Sequence, residues 1–322
     1  VTDRFPARLE FLVEAIGLDR DRLAVPRCAD IEAAWDTIVD RSVTLIFPDA
    51  YLGTPASMFG HTLLVLGGSQ KSPLLRQSIN YGAVATDSNG VVYAFRGVFG
   101  LYRGIFSLEP FHHKVQKYID LDQRDLWEYD LDLSEVEVRR LVLHIWELRE
   151  IWSDYYFFDE NCSSNLLFLI DVARPGLGLA QDTGIWVIPI DTIRAIIDAD
   201  LVKARRWRPS RVSIIRHLES ILSGEDSTAV RDVAQGRRTL DQVLTGIDDP
   251  LRRTRILDTC IEYLRGERGR GRIAQDPYQK RLHAALLARA RLGQVDDPAR
   301  EPPLPAAPED GHETLRASLG GG

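Results

Sequence analysis

Residues 155–173 read YYFFDENCSSNLLFLIDVA, and the fold turns on how this stretch is read. Its second half is apolar at helical spacing and runs to Pro175 and Gly176, which stop a helix. Its first half is polar and aromatic, so the helix begins near Asn161, with Asp159 or Asn161 as cap and Cys162 in the first turn. A thiol at that place gains from the unpaired N–H groups of the helix start and from the positive end of the dipole, both of which favour a thiolate. The backbone N–H of Cys162 is also placed to face an oxyanion during acyl transfer. Asn161, Ser163, Ser164 and Asn165 are polar neighbours, a poor setting for an inert core cysteine and a suitable one for a nucleophile.

Cysteine chemistry requires a base, and His61 in SMFGHTLLVLGG (57–68) is the best-placed histidine, at the entry of an apolar strand after a glycine that permits close backbone approach. A third group must hold the imidazole by accepting from its other ring nitrogen. Asn80 in QSINYGA (77–83) is the candidate, because antiparallel pairing brings that strand beside the histidine; Tyr81 and Ser57 compete for the role. Tyr81, Ser57, Tyr156 and Asn161 are expected to support the site or touch substrate, and the aromatic runs Tyr155–Phe158 and Phe99–Phe106 either line an acyl groove or pack as core. The vicinal pair His112 and His113 has no nearby carboxylate cluster to complete a metal site, and the chemistry needs no cofactor.

Outward from the site, residues 1–42 read as two helices, with Leu9, Leu12, Val13 and Ile16 on one face of the first and Ile31, Ala34, Trp35 and Ile38 on one face of the second. From Val43 the pattern turns to short β-branched and aromatic runs: VTLIF (43–47), HTLLVL (61–66), QSINYGAVA (77–85), VVYAF (91–95) and DLWEYDL (125–131). These predict a small, mainly antiparallel sheet. Ser134 and Glu137 form a capping box for a core helix carrying Val138, Leu141, Val142, Ile145, Trp146 and Trp152 on one stripe. The fold class is therefore α+β, with a catalytic domain over 43–205 and a helical subdomain over 206–295, its helices separated by turn-like RRWRPS, DDP and GERGRG. Residues 296–322 read as an extended Pro- and Ala-rich linker, ending in HETLRASLGGG, which is either the first strand of a further domain or a frayed tail.

The 322 residues carry a net charge of −7 with both signs mixed along the chain, so no basic stripe of the kind that binds nucleic acid is present. No apolar run reaches the length of a membrane-spanning helix. The start at Val1, without Met, fits a processed protein. Three cysteines stand at positions 28, 162 and 260, too far apart in sequence for a zinc ribbon; Cys28 and Cys260 are either a disulfide in an oxidising compartment or two free thiols.

In order, SMFGHTLLVL, NYGA, GVFGLYRGIFSLEPFHHKVQKY, DLWEYDLDLSEVEVRRLVLHIWEL and YYFFDENCSSNLLFLID resemble the N-terminal periplasmic domain of the Lnb-type lipoprotein N-acyltransferase family, over about 43–205. The resemblance implies a circularly permuted papain-like fold, related to NlpC-type peptidases and lecithin:retinol acyltransferases, in which the histidine strand precedes the cysteine helix. The order His61, Asn80, Cys162 matches. It also implies acyl transfer through a cysteine thioester, with bacterial lipoprotein or phospholipid as donor, in the periplasm. Some Gram-negative members continue into an outer-membrane β-barrel, which GHETLRASLGGG would begin. The competing functions are a cell-wall cysteine peptidase or amidase and a non-enzymatic periplasmic adaptor.

Overall fold

The computed structural model describes residues 4–19, 22, 28–38, 41–49, 60–67, 76–85, 87, 89–121, 123–182 and 186–311; Ser57 and the segment 312–322 lie outside the described residues. The chain forms two compact units, one from residues up to Val115, Trp127–Arg206 and Ala306 onward, the other from Gln116–Leu126 and Trp207–Pro305.

The first unit contains, in chain order, α1 (Pro6–Ala15), α2 (Ala29–Asp36), β1 (Val43–Pro48), β2 (Leu63–Leu66), β3 (Gln77–Ala83), α3 (Gly90–Val98), β4 (Tyr102–Pro110), α4 (Phe111–Val115), β5 (Leu126–Leu131), α5 (Glu135–Leu148), β6 (Trp152–Tyr155), α6 (Cys162–Ala173), α7 (Leu179–Asp182), α8 (Pro189–Asp198) and β7 (Val202–Arg208). The seven strands form one sheet in the order β6-β4-β3-β2-β1-β5-β7, antiparallel from β6 through to β1. Strands β1 and β2 are buried at every position, because apolar residues fill both faces rather than alternating. Helix α6 packs on β2 and β3, and α5 packs on α6. The α5 stripe of Val138, Leu141, Val142 and Ile145 is buried, and the Ser134–Glu137 capping box forms as its sequence dictates.

Several expectations are corrected. VVYAF is helical rather than extended, since Asn89 Oδ1 accepts from the N–H groups of Val91 and Val92 and starts α3. Local β-propensity loses there to a cap and to packing of Tyr93 on Tyr102 and Phe157. RRWRPS is not a turn, as its first four residues end β7. Helix α5 stops at Leu148, and Trp152 stands exposed on β6 instead of continuing its stripe. Leu12 of α1 and Ile16 just after it face solvent; that helix is held on α5 by ion pairs of Arg8 with Glu147 and of Arg140 with Glu14.

The second unit opens with a π-helical turn (Gln116–Leu121) and continues through α9 (Arg211–Ser220), α10 (Gly224–Gln235), α11 (Leu240–Leu244), α12 (Pro250–Gly269) and α13 (Gln275–Arg291). Ser210, Ser223, Thr239 and Asp249 cap α9 to α12 with their side-chain oxygens. Helix α12 is central, and its Leu257, Cys260 and Leu264 meet Val230 and Val233 of α10 in the core. Cys28, Cys162 and Cys260 are all free thiols, which removes the disulfide alternative. Burial pushes the Cys260 thiol up to about 12, the mark of an inert core cysteine. The proposed linker is not loose: Asp297 takes a two-pronged bond from Arg255, and the Ala299 carbonyl contacts His217 Nε2 at 2.7 Å. Among the described residues no helix is long and apolar enough to cross a membrane.

Candidate active site

Asn161 starts α6 by using its whole side chain. Its Oδ1 accepts from the N–H of Ser163 at 2.8 Å and of Ser164 at 3.4 Å, while its Nδ2 donates to the carbonyls of Phe157 at 2.9 Å and Val187 at 2.6 Å. The Ser164 hydroxyl accepts from the Asn161 N–H in return, closing a capping box. With all of these bonds turned toward backbone, the Asn161 side chain holds the start of α6 and the two carbonyls beside it. Cys162 follows as the first helical residue, buried against the sheet because α6 lies over β2 and β3.

His61 enters from the other side, two residues before β2. The register pairs Leu64 with Ile79, so Asn80 falls opposite Leu63 and diagonal to His61 on the same face. His61 Nε2 lies 2.5 Å from Asn80 Oδ1. Because an amide oxygen only accepts, Nε2 carries the proton and Nδ1 is left for the sulfur. The amide is itself oriented: Asn80 Nδ2 donates to Ser107 Oγ at 3.4 Å across the directly paired position on β4, Ser107 donates to Glu109 at 3.3 Å, and Lys114 pairs with Glu109 at 3.2 Å.

Burial by itself would raise the Cys162 thiol, yet the charge of His61, its hydrogen bond to the sulfur and the N–H of Thr62 outweigh burial and bring it down to about 7. A substantial fraction is therefore thiolate near neutrality. The three residues expected to form the catalytic group, Cys162, His61 and Asn80, are brought together in one cluster.

Tyr81 is near but does not orient the imidazole. Its hydroxyl bonds Ser153 Oγ at 2.7 Å, its ring stacks on Tyr155 at 5.6 Å, and a Cβ at Gly104 would collide with its oxygen, so glycine is required there. Tyr156 instead packs over Gly100, whose own Cβ would strike the ring. Tyr155 is the neighbour that sequence reasoning left among generic lining residues: its ring stacks on Tyr81, and burial, with the charge of the Cys162 sulfur, raises its phenol well above its ordinary range. The signal available was its place seven residues before the cysteine on a short strand, which says nothing of direction until β6 is seen at the sheet edge. Among the described residues no group of three or more His, Cys, Asp or Glu side chains is placed to hold a metal, and the rings of His112 and His113 meet edge-on with their centroids 4.2 Å apart.

Comparison with known proteins gives two family matches. The model of the Lnb N-terminal periplasmic domain matches residues 32–199, which include β1 through α8 and all three clustered residues, and that of a domain of unknown function, DUF7842, matches residues 205–302. No curated protein and no solved structure matches. The sequence resemblance and the family match agree on the same segment, and the chain belongs to the Lnb N-terminal periplasmic domain family.

Proposed function

We propose that this protein is a periplasmic thiol acyltransferase or acyl hydrolase that takes an acyl group from bacterial lipoprotein or phospholipid onto Cys162 as a thioester. The observation that carries the reading is the sulfur at the amino end of α6, hydrogen-bonded to His61 and brought to about 7. The order of histidine strand, asparagine strand and cysteine helix supports assigning the core to the circularly permuted papain-like class, with its sheet on one side and α6 on the other.

In this mechanism the Cys162 thiolate attacks the ester carbonyl, an S–C bond forms, and the carbonyl electron pair moves onto oxygen. Collapse of the tetrahedral species breaks the ester C–O bond, and protonated His61 gives its Nδ1 proton to the departing alcohol. Asn80 keeps the ring in the tautomer and orientation that this exchange needs. An amine or water then attacks the thioester, with neutral His61 taking its proton, and the thiolate is restored.

The test is incubation with labelled phospholipid and with diacylated lipopeptide, followed by mass spectrometry of Cys162. Expected is an acyl mass on Cys162 that is absent from the Cys162→Ala variant. No Cys162-dependent acyl-enzyme or product with any donor would sink the proposal, and cleavage of cell-wall peptide alone would reassign the protein as an amidase. Attachment to the outer membrane through a following β-barrel belongs to the same proposal and is tested by fractionation of cells expressing the full-length gene product.

A further inference from the structure

Asn80 is paired directly with Ser107 on β4, and Ser78, two residues earlier on β3, is paired with Glu109. Side chains two residues apart on a strand share a face, so Ser107 and Glu109 stand side by side on the face that carries Asn80. The backbone beneath them is pinned, since the buried Ser78 hydroxyl donates to the Glu109 carbonyl at 2.8 Å. Helix α4 then turns the chain back, anchored by the fully buried Phe111, whose N–H donates to the Arg76 carbonyl at 2.7 Å. It brings Lys114 to Glu109 Oε1 at 3.2 Å, the same oxygen that accepts from Ser107. An unbroken line of side-chain hydrogen bonds thus runs from Lys114 through Glu109, Ser107 and Asn80 to His61.

We infer that Glu109 is a positioning residue, which sets the tautomer of His61 by fixing the direction of every hydrogen bond between them. This role rests on the reading of His61 as the base of Cys162 given above. A carboxylate accepts and cannot donate, so the single proton of the Ser107 hydroxyl is committed to Glu109, at 3.3 Å. Ser107 then has only lone pairs to offer Asn80, which must turn its amide nitrogen toward them, at 3.4 Å. The amide oxygen is left for His61 Nε2, which carries the ring proton, and Nδ1 stays bare to take the proton of the thiol. Without the acid nothing in this line distinguishes the two ends of the amide, because a hydroxyl can donate to its oxygen as readily as accept from its nitrogen. A flipped amide would set an N–H against Nε2, drive the ring proton onto Nδ1 and leave the thiol without a base. Lys114 holds the carboxylate turned inward, against Ser107.

A charge swap separates bond direction from charge pairing. Glu109→Lys combined with Lys114→Glu preserves an ion pair at this place but presents a donor to Ser107, which reverses the line. In a Cys162→Ser background of the full chain, ring-nitrogen NMR of isotope-labelled histidine reads the His61 tautomer at about pH 8.5, above the ordinary histidine range, with the signal assigned by His61→Ala. Expected are the Nε2–H tautomer in the Cys162→Ser chain, a mixture when Glu109→Gln is added, and mainly the Nδ1–H form with the swapped pair. In chains that keep Cys162, acylation by p-nitrophenyl octanoate should fall about two- to fivefold in Glu109→Gln and about 10-fold or more with the swapped pair. Ser107→Thr, which keeps a hydroxyl on the strand, should stay within about twofold of the unaltered chain. An Nε2–H tautomer retained in Glu109→Gln and in the swapped pair overturns the inference. Full acylation by the swapped pair also overturns it, since an ion pair alone would then suffice. The expected tautomers in a chain whose Cys162 is alkylated by iodoacetamide but never acylated support the role of Glu109 and overturn the acyl-transfer reading.

Discussion

At the residue scale the site is a contest between burial and the partners of a single sulfur. Burial is the largest influence on Cys162 and opposes the thiolate; His61 and Thr62 reverse it to give about 7. The iodoacetamide rate of Cys162 should therefore rise with pH through a midpoint near 7, as the thiol loses its proton, and level off above it. In His61→Ala the largest favourable influence is gone and only Thr62 opposes burial, so the midpoint moves up from about 7 toward or beyond the ordinary value of 9.0. A displacement of two units cuts the thiolate fraction at neutral pH by about 50-fold, read directly as the alkylation rate at pH 7. An unchanged midpoint in that variant would detach the imidazole from the sulfur. Asn80→Ala should leave the cysteine alkylatable and lower acyl transfer about 10- to 100-fold, because the ring loses the acceptor that fixes its tautomer; equal activity would refute that role. Cys162, His61 and Asn80 were legible in sequence because each announces itself locally: a cysteine after a capping asparagine, a histidine opening an apolar strand, and an asparagine on the next strand. Tyr155 was not, since the direction of one aromatic side chain in YYFF depends on a four-residue edge strand that has no alternating pattern to reveal it.

At the element scale, what local chemistry dictates and what tertiary packing imposes can be told apart strand by strand. Strands β1 and β2 follow from compact apolar runs, and β3 and β5 from β-branched, aromatic and other apolar residues interleaved with polar ones, while β4 reads YRGIFSLEP, with an arginine, a glycine and a glutamate breaking the signal. β4 is nonetheless extended because it pairs with β3 along seven residues and with β6 along four. VVYAF goes the opposite way, a β-branched run turned helical by Asn89. The element on which the site depends most is α6, and its start is fixed by one buried side chain. Asn161→Ala removes a cap from two N–H groups and strips the Phe157 and Val187 carbonyls of their donor. The expected cost is about 2–4 kcal/mol, the sum of a lost cap and buried groups left unpaired. Urea denaturation should show a lower midpoint with an unchanged slope. Asn161→Asp keeps the acceptor and loses the donor, so it should fall between the two proteins; a loss below about 0.5 kcal/mol for the alanine variant would show that the helix start is held by something else.

At the scale of the whole molecule the chain order is not the order of the units. A serial reading gives a catalytic domain followed by helices and a linker, whereas Gln116–Leu126 belongs with the helical unit and residues from Ala306 return to the sheet-bearing one. Composition marks neither exchange, and in each a carboxylate helps to tie the segment down. Glu309 reaches the fully buried Tyr129 hydroxyl at 2.6 Å and receives Arg205, so a segment rich in proline and acid is tied down by its acids. Asp125 does the corresponding work in the helical unit. Its Oδ1 accepts from the Ser210 N–H at 2.8 Å and from the Ser213 hydroxyl at 2.7 Å, and its Oδ2 from the Trp207 indole at 3.2 Å. The carboxylate thus organises the residues that begin α9 from a position more than eighty residues earlier. Asp125→Ala should lower the stability of the helical unit by about 2–3 kcal/mol, since charge-assisted bonds are lost and the buried Ser210 N–H is left without its acceptor. Hydrogen exchange resolves the effect by region: amides of α9 and α12 should exchange faster while those of β1 and β2 keep their protection. Expressed alone, residues 207–305 lack Asp125 and should be less stable than the same unit in the intact chain by a similar amount. Equal protection in Asp125→Ala and in the unaltered protein would mean that the helical unit is self-sufficient, and that residues 116–126 only pass by it.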